Sequence, residues 1–237
     1  MFKSIKDKFQ LRFKNRVFAA NILAGLVQDR LKEEKIETDK NNLLVLGIPR
    51  GGVIVADIIA SKIDKCDFDI IISRKLTAPH NSELAIGAIM EDGTTYLNDD
   101  LVSDSEINQE YIEREKEKQV TEIRRRKFLY RSRSYGETIQ EKTNTVILVD
   151  DGAATGATII AASRWIKKNS LKSRLMIGLP VAPKKTIELL QKECDYVVFA
   201  SAISTGFGGV ANYYEDFRQV TDEEVMQICE KKIKLKE

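Results

Sequence analysis

Histidine occurs once in these 237 residues, and cysteine three times. Cys66, Cys194 and Cys229 are far apart and odd in number, with no CxxC pair and no histidine at ligand spacing. That argues against a structural zinc site and for reduced thiols in a cytoplasmic protein rather than a disulfide framework. No apolar run approaches the roughly 18 residues that a membrane span requires. The opening "MFKSIKDKFQLRFKNR" is basic but has no apolar core, so it does not read as a secretory leader. Neither sign of charge dominates. The 38 Lys and Arg residues face 36 Asp and Glu, a formal net charge of +2, which gives no reason to expect a nucleic-acid binder. Internal repeats, Pro/Gly-rich linkers and low-complexity tracts are all missing, and the chain reads as one domain over residues 1–237.

What is present is a soluble, globular composition, 43% apolar and 31% charged. Residues from about 11 to 34 carry Phe13, Val17, Ala20, Leu23, Ala24, Val27 and Leu31 at helical spacing. Phe2, Ile5, Phe9 and Phe13, interleaved with lysines, admit two readings. They form a membrane-surface helix, or a continuation of the first helix (or a tail) packed on the protein itself. Leu43 to Ile48 is a buried strand ended by Pro49, and Val53 to Ile63 resumes helical spacing. Phe68 to Lys75 reads as one apolar strand, and Leu84–Met90 with Thr94–Leu97 as a hairpin around Glu91-Asp92-Gly93. A long charged helix follows from Asp104 to about Tyr130. Strands recur at Val146–Asp150, Leu175–Leu179 and Tyr196–Phe199, with helices at 157–168, 184–192 and 222–234.

Strand and helix alternate, and the strands are continuous apolar runs, as in a parallel sheet covered on both faces. Ligands of such sheets bind beyond the carboxyl ends of the strands. Three polar loops lie there: Pro49–Gly52, Ser73–Glu83 and Asp150–Thr158. The third belongs to "VILVDDGAATGAT", Val146 to Thr158. Its small residues leave backbone N–H groups open at a helix start, which suits a phosphate. It lacks the lysine of a Walker A loop and the spacing of a GxGxxG fingerprint. Asp150 and Asp151 would repel phosphate, so they call for a polyhydroxylic group or a hydrated cation; a ribose diol with Mg2+ meets both demands.

This stretch resembles the phosphoribosyl pyrophosphate (PRPP) motif of type I phosphoribosyltransferases: four apolar residues, two acids, then a small-residue loop ending in Thr-Gly-x-Thr or similar. "GIPRGGV", "RKLTAPHNSELAIGA" and "YEDFRQVTDEE" extend the resemblance, over nearly the whole chain, to a group of bacterial and archaeal proteins predicted to be phosphoribosyltransferases. The resemblance implies the type I phosphoribosyltransferase fold, an α/β domain with a mostly parallel central sheet flanked by helices. A hood would come from the N-terminal helix (1–40), the C-terminal segment (200–237) or both, and 100–142 would be a charged helical insertion. It implies that Asp150 and Asp151 contact the ribose, directly or through waters of Mg2+. Ala153, Ala154, Thr155, Gly156, Ala157 and Thr158 would hold the 5′-phosphate, and Arg50, Gly51 and Gly52 the pyrophosphate. Arg74 and Lys75 would reach the same pyrophosphate from a catalytic loop that also holds His80 and Glu83. His80 is read either as a catalyst acting after loop closure or as a surface residue. PRPP and a small nitrogen acceptor would be the partners, and a homodimer a common assembly.

The acceptor is narrowed by one departure. In 6-oxopurine enzymes of the family an acid stands three positions after the second acid of the pair; here that position is Ala154. Alanine there is seen in uracil-type members, so a pyrimidine or another acceptor is permitted. Phe207, Tyr213 and Tyr214 either stack on a base or pack the C-terminal segment onto the sheet. Arg124, Arg125, Arg126 and Lys127 invite a nucleic-acid reading, but Glu110 and Arg114, four apart, suggest a solvated helix carrying its own ion pairs. The alternative to an enzyme is a non-catalytic PRPP-binding regulator.

Overall fold

Continuous apolar strands need cover on both faces, and the computed structural model supplies it. It describes residues 12–38, 42–104, 107–131, 139 and 143–234. The chain runs α1 (Arg16–Glu33), β1 (Leu43–Gly47), α2 (Gly51–Lys62), β2 (Asp67–Ile70), β3 (Ser73–Ala78), β4 (Asn81–Met90) and β5 (Thr95–Leu97). It continues through α3 (Asp99–Asp104), α4 (Gln109–Arg131), β6 (Thr145–Val149), α5 (Ala157–Asn169), β7 (Arg174–Pro183), α6 (Lys184–Leu190) and β8 (Tyr196–Ile203). A 3-10 turn, Val210–Tyr213, precedes the last helix, α7 (Asp222–Lys234).

Five strands form the central sheet in the order β2-β1-β6-β7-β8, all parallel. Alternation along each strand divides the core in two. Val45 of β1 with Ile147 and Val149 of β6 packs under α1 and α2, whereas Leu44, Leu46, Val146 and Leu148 pack under α5. The type I phosphoribosyltransferase architecture expected from the sequence is borne out in this mostly parallel sheet. The sheet is also stepped. β6 ends with Val149 opposite Gly178, but β7 continues to Pro183 and stays paired with β8 through Val181–Ser201 and Pro183–Ile203. A two-stranded wall therefore stands beside the loop that leaves β6.

Three expectations need correction. Phe68–Lys75 is not one strand: β2 lies in the central sheet, and β3 pairs antiparallel with β4 in a second sheet, β3-β4-β5. Ile71 and Ile72 between them are buried, so the apolar run passes through the change of sheet with no turn residue to mark it. The charged helix begins at Gln109 rather than Asp104, after a separate short helix, α3, and each is opened by an asparagine cap: Asn98 accepts from Leu101 N at 3.2 Å and Asn108 from Tyr111 N at 2.8 Å. Finally, α1 begins at Arg16, with Asn15 capping Phe18 N, and Phe13 pairs instead with Tyr214 in an isolated bridge. Of the stretch given two readings, Phe2, Ile5 and Phe9 lie outside the described residues, and Phe13 is packed on the protein itself. No described helix is long and apolar enough to cross a membrane.

Candidate active site

Two strands deliver the site. β6 ends in Asp150 and Asp151, and its neighbour β1 ends in the turn that opens α2. The contact between them has no room for a side chain. A Cβ on Gly51 would overlap Asp151 Oδ2, and one on Gly52 would lie 2.8 Å from Val149 O and 2.9 Å from Asp150 Oδ1. The peptide between Pro49 and Arg50 is cis. Asp150 Oδ1 accepts from Asp151 N at 2.8 Å, and Asp151 Oδ2 accepts from Arg16 Nε at 2.6 Å. The Tyr214 hydroxyl donates to Asp151 O at 2.6 Å. Burial, then the neighbouring Asp151 charge, pushes the Asp150 carboxyl well above the usual carboxylate range. Burial raises Asp151 too, against the opposing pull of Arg16.

The loop that follows is anchored on one side and open on the other. Ala153 N donates to Val181 O at 3.1 Å, and Ala154 O accepts from Thr186 Oγ1 at 2.6 Å. Gly156 takes the left-handed conformation, φ 76°, at the cap of α5. Thr155 Oγ1 accepts from Ala157 N at 3.4 Å, and Thr158 is half-buried in the first turn of the helix. The N–H groups of Ala154, Thr155 and Gly156 meet no acceptor among the described residues. A helix start with unspent backbone donors is what an anion needs.

The basic residues of the second loop part company, because neighbours on a strand face opposite ways. Lys75 is exposed on β3 and lies within electrostatic reach of Asp150 and Asp151. Arg74 turns to α4, where its Nε donates to Gln119 Oε1 at 2.9 Å. Burial, then the charge of Arg126, lowers the Arg74 pKa, and Arg50 contributes in the same sense. Arg50 itself stands 3.7 Å from Asp222 at the start of α7. His80 occupies the exposed tip between β3 and β4 in a left-handed conformation, φ 63°. The side chain of Glu83 lies outside the described residues.

Both segments expected to form a hood are joined to each other. Phe13 N donates to Tyr213 O and Glu215 N to Phe13 O, each at 2.8 Å. Tyr213 and Tyr214 are buried, which favours the packing reading over base stacking for these two rings. The Tyr214 ring lies 5.3 Å from that of Phe13 and 4.9 Å from that of Phe217. Phe207 is half-buried and stacks on Tyr213 at 5.1 Å.

Two contributions were not read from the sequence. Arg16 is only 8% exposed; its Nη1 donates to Arg218 O at 2.8 Å and its guanidinium lies 3.8 Å from the centre of the Phe217 ring. The sequence signal is the arginine closing "FKNR", which a helical wheel alone cannot tell from its charged neighbours. The second is α4, which is not merely a solvated helix. Arg126 Nε donates to Glu122 at 2.8 Å, Arg125 Nη2 to Asp222 at 2.9 Å, and Lys127 Nζ to Glu91 at 2.8 Å. Three of the four basic residues considered for nucleic acid are therefore matched to carboxylates.

This geometry agrees with the comparisons. The sequence model of the phosphoribosyl transferase domain matches residues 19–216. The Mycobacterium tuberculosis protein Rv0571c, which carries the provisional name phosphoribosyl transferase, is 33% identical over 189 residues. That match covers 80% of this chain but 42% of the relative, so the chain spans less than half of that relative's length. The crystal structure of TT1426 from Thermus thermophilus superposes with a TM-score of 0.69 at 34% identity, covering 92% of this chain and 97% of that one. The chain belongs to the phosphoribosyl transferase family.

Proposed function

We propose that the protein is a Mg2+-dependent phosphoribosyltransferase. It would displace pyrophosphate from C1 of PRPP with a nitrogen acceptor, a nucleobase or related compound, not typically a 6-oxopurine. One observation carries the reading: the acidic pair at the end of β6 touches the Gly51–Gly52 turn and is followed directly by a loop with unspent N–H groups. These three parts match the sugar, the pyrophosphate and the 5′-phosphate of one ligand. Among the described residues no group of three or more His, Cys, Asp or Glu comes together to hold a metal. The carboxylates at the end of β6 are few, which suits a hydrated Mg2+ taking its other ligands from water and phosphate. When bound, that ion would offset charge building on the departing pyrophosphate.

The chain's own residues would do the rest. The acidic pair orients the ribose diol, and the donors of Ala154 to Gly156 fix the 5′ end, so that C1 is presented in one pose. As the C1–O bond breaks and the acceptor nitrogen bonds to C1, negative charge moves onto the pyrophosphate. Lys75, and Arg50 at the start of α2, stand on the side where it would build. The acceptor N–H proton goes to solvent or to a group on the β3–β4 hairpin, where His80 and Glu83 are the candidates. Ala154 presents no carboxylate to a purine.

The test is pyrophosphate release from PRPP across a panel of purines, pyrimidines and small amines. Mg2+-dependent release with a pyrimidine or another non-purine nitrogen compound, and none with hypoxanthine or guanine, is the expected result. Tight PRPP binding without release for any acceptor would replace the enzyme with a PRPP-binding regulator.

A further inference from the structure

We propose that the two carboxylates of the acidic pair have separate roles. Asp150 faces the sugar and its hydrated cation, whereas Asp151 is a positioning residue whose charge is taken up by the protein's own Arg16. This division rests on the donor reading above.

The argument starts from what each carboxylate already has. Asp151 Oδ2 meets Arg16 Nε at 2.6 Å, with the two side chains only 14% and 10% exposed. The guanidinium is held on its other sides by Arg218 O and the Phe217 ring. An arginine cannot shed its proton, so burying it requires a lasting counter-charge. A cation seated on Asp151 would have to share that carboxylate with a buried cation 2.6 Å away. Gly51 closes on the same oxygen, leaving no space for a further group from that direction. The Asp151 carbonyl is also engaged, by Tyr214.

Asp150 is closed on one side in the same way, by Gly52 against its Oδ1, but it differs in charge and in partners. Its Oδ1 accepts from the next backbone N–H, and among the described residues no Lys or Arg stands within ion-pair distance of it. One carboxylate of the pair thus belongs to a clasp joining the start of α1, the Tyr214–Arg218 segment and the strand end. The other is left to an incoming ligand. On this view Asp151 transmits the position of the hood to the sugar site, and Arg16 is the contact through which it does so.

The experiment measures Mg2+·PRPP binding by titration calorimetry and thermal midpoints by scanning calorimetry. The proteins are the unsubstituted chain, D150N, D151N, R16Q and R16Q/D151N. D150N should weaken binding by about 100-fold or more, the loss of charge-assisted contacts to the ligand, without lowering the midpoint. D151N should lower the midpoint by about 10 °C, because it strands a buried guanidinium, and should weaken binding with it. Adding R16Q to D151N should recover most of the midpoint and bring binding to within about tenfold of the unsubstituted protein, as expected when a charge pair is removed whole rather than halved. A folded R16Q/D151N that binds as weakly as D150N would show that Asp151 touches the ligand and would overturn the division. So would a D151N protein that Arg16 substitution leaves unchanged in both measurements. If the unsubstituted protein does not bind Mg2+·PRPP at all, the donor reading falls and takes this proposal with it. That outcome is read from the first sample alone.

Discussion

Asp150 is a carboxyl that the fold holds at its own expense. Burial and the adjacent Asp151 charge raise its pKa, so the neutral form is the one the fold prefers. For a group raised in the folded state, the stabilising contribution is present below the unfolded carboxylate value, 3.8 here, and is lost as pH rises through the folded value. At neutral pH the protein therefore carries a penalty that an amide would not. Asp150→Asn keeps an oxygen to accept from Asp151 N, and should raise the midpoint at pH 8 by a few degrees, about 2–4 °C for each kcal/mol relieved. Scanning calorimetry of the variant checks this, and an unchanged or lower midpoint would contradict the picture of a strained acid. Sites that must meet a charged ligand commonly show this opposition between stability and function.

At the scale of elements, α4 carries ion pairs of its own through Glu122 and is docked to its surroundings through Asp222 and Glu91. The hydrogen bond from Arg125, reinforced by Arg126, holds Glu122 down at about 2. Asp222, although burial works the other way, is lowered by Tyr130 and Arg125. For a depressed carboxyl the stabilisation is present above the unfolded value, 4.5 for Glu122, and disappears as pH falls toward about 2. Glu122→Gln should thus be less stable than the unsubstituted protein at pH 7, and the gap should close as pH falls from 4.5 toward 2. Midpoints measured across that range are the check; a gap independent of pH would mean that charge is not what matters. The ion pairs within the helix, Arg125 and Arg126 with Glu122, are what a solvated helix carrying its own pairs implies, but its long-range docking was not legible in the sequence. Partners such as Glu91 and Asp222 are 36 and 97 positions away, and local spacing carries no trace of them. The parallel strands and the loop after β6 were legible, because each depends on a run of adjacent residues. β2 and β3 merged into one expected strand for the same reason: Ile71 and Ile72 are buried at the crossing, so hydrophobicity does not fall there. Arg74 and Lys75 were assigned together from adjacency, and strand alternation sends them to different neighbours.

At the scale of the whole molecule, the residues just ahead of α1 are joined to the segment ahead of α7. Phe13, fully buried, pairs with Tyr214, and both sides of the junction reach the acidic loop through Arg16 and Tyr214. Phe13→Ala should cost about 3–5 kcal/mol, the usual range for a buried phenylalanine. It should lower the midpoint by about 10 °C while leaving a single cooperative transition. A first, separate transition for the terminal segments would show instead that the junction is peripheral to the fold. The step in the central sheet has a consequence of a different kind. β7 and β8 rise five residues past the end of β6, from Leu179 to Pro183, a height of about 16 Å at ordinary strand rise. Their backbone ladder continues from the core into this wall. β3 and β4 belong to a separate sheet that, among the described residues, shares no ladder with the first. If the acids hold the ligand as proposed, substitutions that alter its residence time should map to β3 and β4 rather than to β7 and β8, which dissociation rates measured for variants of each pair would check.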